Sequence, residues 1–276
     1  MSNLLARVLT AVLLVPFLVV AIVWSNPLAV WGIVFVATFL GLREYYNMTL
    51  AKEPLVERGF GIALGLGFAA VVYWTDGTSF AITATLAGVT IAAFLFYLFR
   101  YGDMQTVAGR VAQMIVGTLY VGLLLTFVAL LKKRGSDGAQ WVFIALTCTW
   151  FSDTGAYFAG RFIGPAWPVK LYAAVSPKKT LIGAIGGLVA SFGALVIAKL
   201  WYLPSLTWID CVAVAVPANL LGQTGDLCES MLKRSVGVKD SGALLPGHGG
   251  MLDRVDALLF IAPYVYVYAH YCYGRF

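Results

Sequence analysis

Nine apolar segments recur along the chain, at roughly 5–24, 28–46, 59–74, 79–99, 111–131, 139–159, 181–203, 207–224 and 257–273. Each approaches the ~20 residues that an α-helix needs to cross the hydrocarbon core of a bilayer. Backbone N–H and C=O groups meet no water there, so such a segment must close its hydrogen bonds within itself. Composition agrees. Of the 276 residues, 61% are apolar and 12% charged, where soluble domains average ~45–50% and ~25%. A mean hydropathy of +0.85 excludes a disordered chain and argues against a soluble globular enzyme. The expected fold is all-α: a polytopic transmembrane helical bundle of about nine spans (eight to ten, given some short segments). It forms a single integral membrane domain over 1–276, with N-terminal spans in 1–131 and the chemistry-bearing spans and loops in 139–276.

The formal net charge of +6 comes from Lys and Arg at the ends of apolar runs. That pattern reads as loop charge and attraction to anionic lipid, not as nucleic-acid binding. Cys148, Cys211, Cys228 and Cys272 show no metal or disulfide spacing and read as small core residues. The first apolar run resembles a signal peptide, but the many segments after it make it a retained span. Gly61, Gly65 and Gly67 read as close helix packing, since no strand or Lys accompanies them to make a phosphate loop. With the N-terminus in the cytoplasm and nine alternating spans, 14 Lys and Arg fall on the cytoplasmic side and 5 opposite. Lys132, Lys133 and Arg134 oppose that orientation locally.

Two connections break the apolar pattern, 160–180 and 223–256, both on the expected cytoplasmic side. Residues 226–256 hold five of the thirteen acids: Asp226, Glu229, Asp240, Asp253 and Asp256. On a helix, Asp226, Glu229, Ser230, Lys233 and Arg234 share an arc of about 140°. A wet face with i, i+4 ion pairs explains such a stripe. Its continuity with a membrane span favours a functional role, because acids are costly there. Next come Lys239, Asp240 and the run Pro246-Gly247-His248-Gly249-Gly250. Its glycines permit close backbone approach to a ligand, and successive N–H groups can cradle phosphate. A plain turn fits equally well, and no second His or Cys stands nearby to make a zinc set with His248. Asp253 and Asp256 are i, i+3 around Arg254. Two carboxylates so close repel unless a cation lies between them, and hard oxygen ligands suit Mg²⁺. Asp253 also suits a helix N-cap. In the other connection, Asp153, Tyr157 and Arg161 share a helical face with Gly160, and an acid in an apolar run needs a partner or a polar cavity. Ser176-Pro177-Lys178-Lys179-Thr180 offers Ser176 or Thr180 as a helix cap. Its two Lys oppose the helix dipole, a conflict that a bound phosphate resolves. Carboxylates for a divalent cation, cations for phosphates and a membrane boundary together point to phosphoryl or nucleotidyl transfer.

The run Ser230 to Asp256, with Lys233-Arg234, Lys239-Asp240, Pro246-Gly247-His248-Gly249-Gly250 and Asp253-Arg254-Val255-Asp256 in register, strongly resembles the signature of phosphatidate cytidylyltransferases, also called CDP-diacylglycerol synthases. Gly225-Asp226, Glu229-Ser230, Asp153, Gly160-Arg161 and the Ser176–Thr180 motif look like the same family. The resemblance is close over the C-terminal half. Over the N-terminal half it extends only to the presence of apolar spans. It implies CTP and phosphatidic acid as substrates, CDP-diacylglycerol and pyrophosphate as products, and Mg²⁺ as cofactor, with room for a second cation. By motif position, Asp226, Asp240, Asp253 and Asp256 would bind metal. Lys178, Lys179, Lys233, Arg234, Lys239 and Arg254 would neutralise phosphates, and Glu229 would orient a metal-bound water or a cation. Asp153, Tyr157, Arg161, Ser176, Thr180, Ser230, Gly247, His248, Gly249 and Gly250 would line the substrate sites. The partners implied are CTP, phosphatidic acid and the bilayer, without nucleic acid and with a homodimer allowed. The location implied is a bacterial inner membrane, with the site facing the cytoplasm. One position departs from the pattern: Ile182 stands where the family commonly carries Glu. That departure leaves open a transferase acting on another lipid phosphate, or a paralogue of low activity. An ion-coupled transporter and a membrane scaffold are the readings from other classes.

Overall fold

The computed structural model describes residues 3–242 and 249–274. Nine helices follow one another among them: α1 Asn3–Val23, α2 Leu28–Thr49, α3 Leu55–Trp74, α4 Ser79–Phe99, α5 Met104–Lys132, α6 Gly138–Phe162, α7 Leu181–Trp201, α8 Trp208–Ser235 and α9 Leu252–Cys272. Each occupies one of the apolar segments. Six of them (α2, α3, α4, α5, α7 and α9) are long and apolar enough to cross a membrane, and the protein is a multi-pass membrane protein. Phe80, Phe94, Leu98 and Phe99 of α4 project outward, as suits a helix whose solvent is lipid. Pro217 and Pro263 sit inside α8 and α9, a placement that membrane helices tolerate.

The all-α expectation needs correction. The connection between α6 and α7 holds an antiparallel hairpin of β1, Lys170–Tyr172, and β2, Ser176–Thr180, with Lys170 opposite Thr180 and Tyr172 opposite Ser176. This stretch lies outside the apolar runs, so the demand for helix does not reach it. Pro177 biases Ser176 away from helical backbone, which favours extended chain.

The chain divides into two compact units. The first comprises Met1–Leu130 with Asp240–Arg254. Within it, α2 packs against both α3 and α5 through buried Leu42, Tyr45 and Tyr46. The Tyr46 hydroxyl donates to the Met114 carbonyl at 2.7 Å. A Cβ on Gly61 would meet the Tyr46 ring at 2.7 Å, and one on Gly65 would meet Leu42 at 2.6 Å. Both therefore serve the close packing expected of them, whereas Gly67 has nothing within 4 Å of that position. One end of this unit is tied by Arg110, which is only 5% exposed and bonds Glu57 at 3.0 Å and Glu53 at 3.1 Å. Tyr97 donates to Glu57 at 2.9 Å.

The second unit comprises Leu131–Lys239 with Val255–Phe276. Here α6 and α7 touch backbone to backbone. A Cβ on Gly155 would lie 2.5 Å from the Gly186 carbonyl oxygen, and one on Gly186 would lie 2.7 Å from that of Gly155. Lys132 is buried, and Arg134 bonds Asp137 at 2.5 Å and lies over the rings of Trp141 and Tyr273. The cationic cluster that opposed the charge count is thus drawn into tertiary contacts.

Candidate active site

α8 continues well past the apolar run that starts it. Its 28 residues span about 42 Å at 1.5 Å per residue, so the charged stripe rides on the same rigid rod. The middle of the stripe does not form a wet face, although Asp226 is half-buried and Arg234 exposed. Glu229, Ser230 and Lys233 are buried, whereas apolar Met231 is 51% exposed. Glu229 and Lys233 form an i, i+4 ion pair. Arg234 donates to the Val238 carbonyl at 2.9 Å. It closes the end of its own helix, where Gly237 takes a positive φ of 75°.

In the second unit α8 packs against α6, and meets α9 at Gly222 and Gly225. Asp226 Oδ2 lies 2.5 Å from Lys179 Nζ, and Ser230 donates to Asp226 Oδ1 at 3.4 Å. Asp256 stands in the electrostatic field of Asp226 and, more weakly, of Asp153, with Lys233 acting in the opposite sense. Its Oδ1 accepts from the Ala257 N–H at 2.7 Å. Gly225 makes this approach possible: a Cβ there would meet the Asp256 carbonyl oxygen at 2.6 Å and the Phe260 ring at 3.2 Å. Of the two capping candidates, Thr180 is the one that caps α7, its hydroxyl accepting from the Gly183 N–H at 3.1 Å. The first turn of α7 carries no acid, consistent with Ile182 at its start. Asp153, Tyr157, Arg161 and Lys178 are exposed, as is Lys239 after α8, and Ser176 is half-buried in β2.

The first unit holds Asp240, Gly249, Gly250, Asp253 and Arg254. Asp253 Oδ2 accepts from the Gly250 N–H at 2.8 Å and the Ser241 N–H at 3.0 Å. It therefore ties together the residues ahead of α9 and is not the N-cap of that helix, since it stands in the first turn of α9 and accepts from residues that precede it. Gly249 takes a φ of 77°, and a Cβ there would strike Asp253 Oδ2 at 2.6 Å. Asp240 and Arg254 are exposed. Gly247 and His248 lie outside the described residues.

Sequence reasoning missed Glu44 and Ser241. Glu44 is 9% exposed on α2. It accepts from the Ser241 hydroxyl at 2.9 Å and from the Met251 and Leu252 N–H groups at 2.8 Å each. The signal was present, since an acid near the end of an apolar run needs a partner.

No three His, Cys, Asp or Glu among the described residues form a closed metal cage. Mg²⁺ does not require one. It commonly takes one or two carboxylates and completes its shell with water and substrate phosphate. Asp226 and Asp256 lie on two helices that touch at Gly225, and as hard anionic oxygen donors they are of the kind that the ion takes.

Comparison with known proteins gives this geometry a context. The chain is 31% identical to a phosphatidate cytidylyltransferase of Bacillus subtilis, over 96% of this chain and 97% of that protein. It is 34% identical to one of Thermotoga maritima, over 97% and 96%, and 31% identical to one of Staphylococcus saprophyticus, over 93% and 95%. A model described as the cytidylyltransferase family matches residues 5–272, and these helices and this hairpin are therefore those of a protein that belongs to the cytidylyltransferase family.

Proposed function

We propose that this chain transfers the cytidylyl group of CTP to phosphatidic acid, giving CDP-diacylglycerol and pyrophosphate. The full-length match to phosphatidate cytidylyltransferases carries the reading, because a helical membrane fold by itself names no reaction. An oxygen of the lipid phosphate attacks the α-phosphorus of CTP, the bond from that phosphorus to the bridging oxygen breaks, and pyrophosphate leaves with the electron pair. The lipid phosphate is already anionic near neutral pH, so the site needs no strong base. Its task is positioning and charge neutralisation.

Asp226 and Asp256 in the second unit, and Asp240 and Asp253 in the first, are the residues that would hold Mg²⁺ and a second cation. When bound, Mg²⁺ supplies neutralising charge for the triphosphate. Lys179 neutralises phosphate from its place beside Asp226, and Lys178, Lys239 and Arg254 add cations from exposed positions. Glu229 holds Lys233 within the buried stripe, and Arg234 secures the end of α8. Asp153, Tyr157, Arg161, Ser176, Thr180 and Ser230 shape the approach of substrate in the second unit. Gly247, His248, Gly249 and Gly250 shape the nucleotide side.

The reading extends to one integral membrane domain of nine spans. Its N-terminus and site face the cytoplasm of a bacterial inner membrane, where a soluble nucleotide meets a bilayer lipid, and a homodimer is compatible with it. Purified protein in detergent is expected to convert labelled CTP into a lipid-soluble product only when phosphatidic acid and Mg²⁺ are both supplied. Labelling of another lipid phosphate in preference to phosphatidic acid would redirect the assignment to a related transferase. Ion flux in liposomes without any CTP turnover would replace it with a transporter.

A further inference from the structure

The two ends of the glycine-rich signature segment converge on one side chain from a distant helix. Glu44 Oε2 accepts from the Ser241 hydroxyl and from the Leu252 N–H, while Oε1 accepts from the Met251 N–H. Ser241 precedes the segment, and Met251 and Leu252 follow it. The Ser241 N–H donates to Asp253 Oδ2 at 3.0 Å, so one short chain links Glu44, Ser241 and Asp253. Two glycines are shaped to this carboxylate. A Cβ on Gly242 would meet Glu44 Oε1 at 2.8 Å, and one on Gly250 would run into both Glu44 and Ser241. A carboxylate buried to 9% exposure is expensive unless hydrogen-bonded, and here both its oxygens are used within the signature segment.

We infer that Glu44 is a positioning residue for the transfer reaction. It clamps residues 241 and 251–252 together and, through Ser241, sets the orientation of the Asp253 carboxylate. The inference rests on the proposed function only in giving Asp253 a part in the reaction; the clamp itself is independent of it. Glutamate suits the role better than glutamine, because both oxygens must accept. In Glu44→Gln one acceptor becomes an N–H₂ group that faces a backbone N–H. Loss of a charge-assisted bond of this kind corresponds to roughly a tenfold change or more.

The test uses the full chain in detergent with two readouts. Trypsin cuts after Lys239 and Arg254, which flank the clamped segment and are both exposed. Glu44→Gln is expected to speed cleavage at these two sites about tenfold while cleavage elsewhere and the melting temperature stay near wild type. Glu53→Gln, which sits on the same unit but outside the clamp, is expected to leave that cleavage unchanged. Turnover of CTP and phosphatidic acid by Glu44→Gln is expected to fall at least about tenfold at saturating CTP. Ser241→Ala is expected to do the same, and the double variant should be no worse than the poorer single one, since linked residues are not additive. Unchanged cleavage, or losses that multiply in the double variant, would overturn the inference. Should Glu44→Gln not purify as folded protein, Ser241→Ala carries both readouts. A wild-type protein that turns over no phosphatidic acid would defeat the proposed function, while the cleavage pattern would still decide the clamp.

Discussion

Lys179 Nζ lies 2.5 Å from Asp226 Oδ2, tying strand β2 to helix α8. The bond is partly open to solvent, with the two side chains 24% and 34% exposed. A pair of that kind adds only about 0–1 kcal/mol to folding. The proposed function gives Lys179 a phosphate to neutralise, and the weak pair leaves it little to do for stability.

The first expectation follows from that weak structural contribution. Lys179→Met should lower turnover about a hundredfold or more, the scale of losing one charge stabiliser in a transition state. Its melting temperature in detergent should move by no more than a few degrees. Initial rates and a thermal melt on the same sample check it, and a large melting shift with an intact rate would reverse the assignment.

Asp253→Asn tests the other unit. An asparagine oxygen can still accept from the Gly250 and Ser241 N–H groups that Asp253 now receives at 2.8 and 3.0 Å, so the fold should persist. Turnover should vanish to background, because the amide lacks the charge that a divalent cation requires. Rates close to wild type would remove Asp253 from the site.

Gly225→Ala probes the approach of α8 to α9. The added methyl must displace the Asp256 carbonyl oxygen, which the bare Cβ position meets at 2.6 Å. Overpacking of this kind costs about 1–3 kcal/mol, and it should depress turnover further than the loss of folded protein explains. Activity per folded molecule, with folding followed by size exclusion and melting, separates the two effects.

Gly61 and Gly67 offer an internal control on one helix. Gly61→Ala drives a methyl into the Tyr46 ring and should destabilise by about 1–3 kcal/mol. Gly67→Ala enters open space and should be neutral, or stabilising by up to ~1 kcal/mol through helix propensity. Paired melts of the two variants decide it.

Arg110→Met should be among the more damaging single changes in the first unit. It strands the Glu57 carboxylate, which is buried and bonded at 3.0 Å to the guanidinium. Removing one partner of a buried ion pair costs about 3–5 kcal/mol. Yield and melting temperature should fall together, with activity following the folded fraction.

The chain order of this protein already determined its helices, because lipid leaves an apolar segment no other way to satisfy its backbone, and each apolar run became one helix. The polar stripe from Asp226 to Arg234 and the cap at Thr180 were legible too, since both depend on neighbours within a turn or so along the chain. Tertiary structure decided the rest. The hairpin at 170–180 arose where the lipid constraint lapsed and Pro177 favoured extended chain. Periodicity could place Asp226 on a helix face but could not pair it with Lys179. It gave no hint that Glu44 would bond Ser241, 197 positions away, because residues so far apart meet only through helix packing. The glycines that allow such meetings, Gly225 over Asp256 and Gly155 against Gly186, look the same in the sequence as Gly67, which faces open space. The difference lies in what stands opposite each missing side chain, and that is a property of the fold.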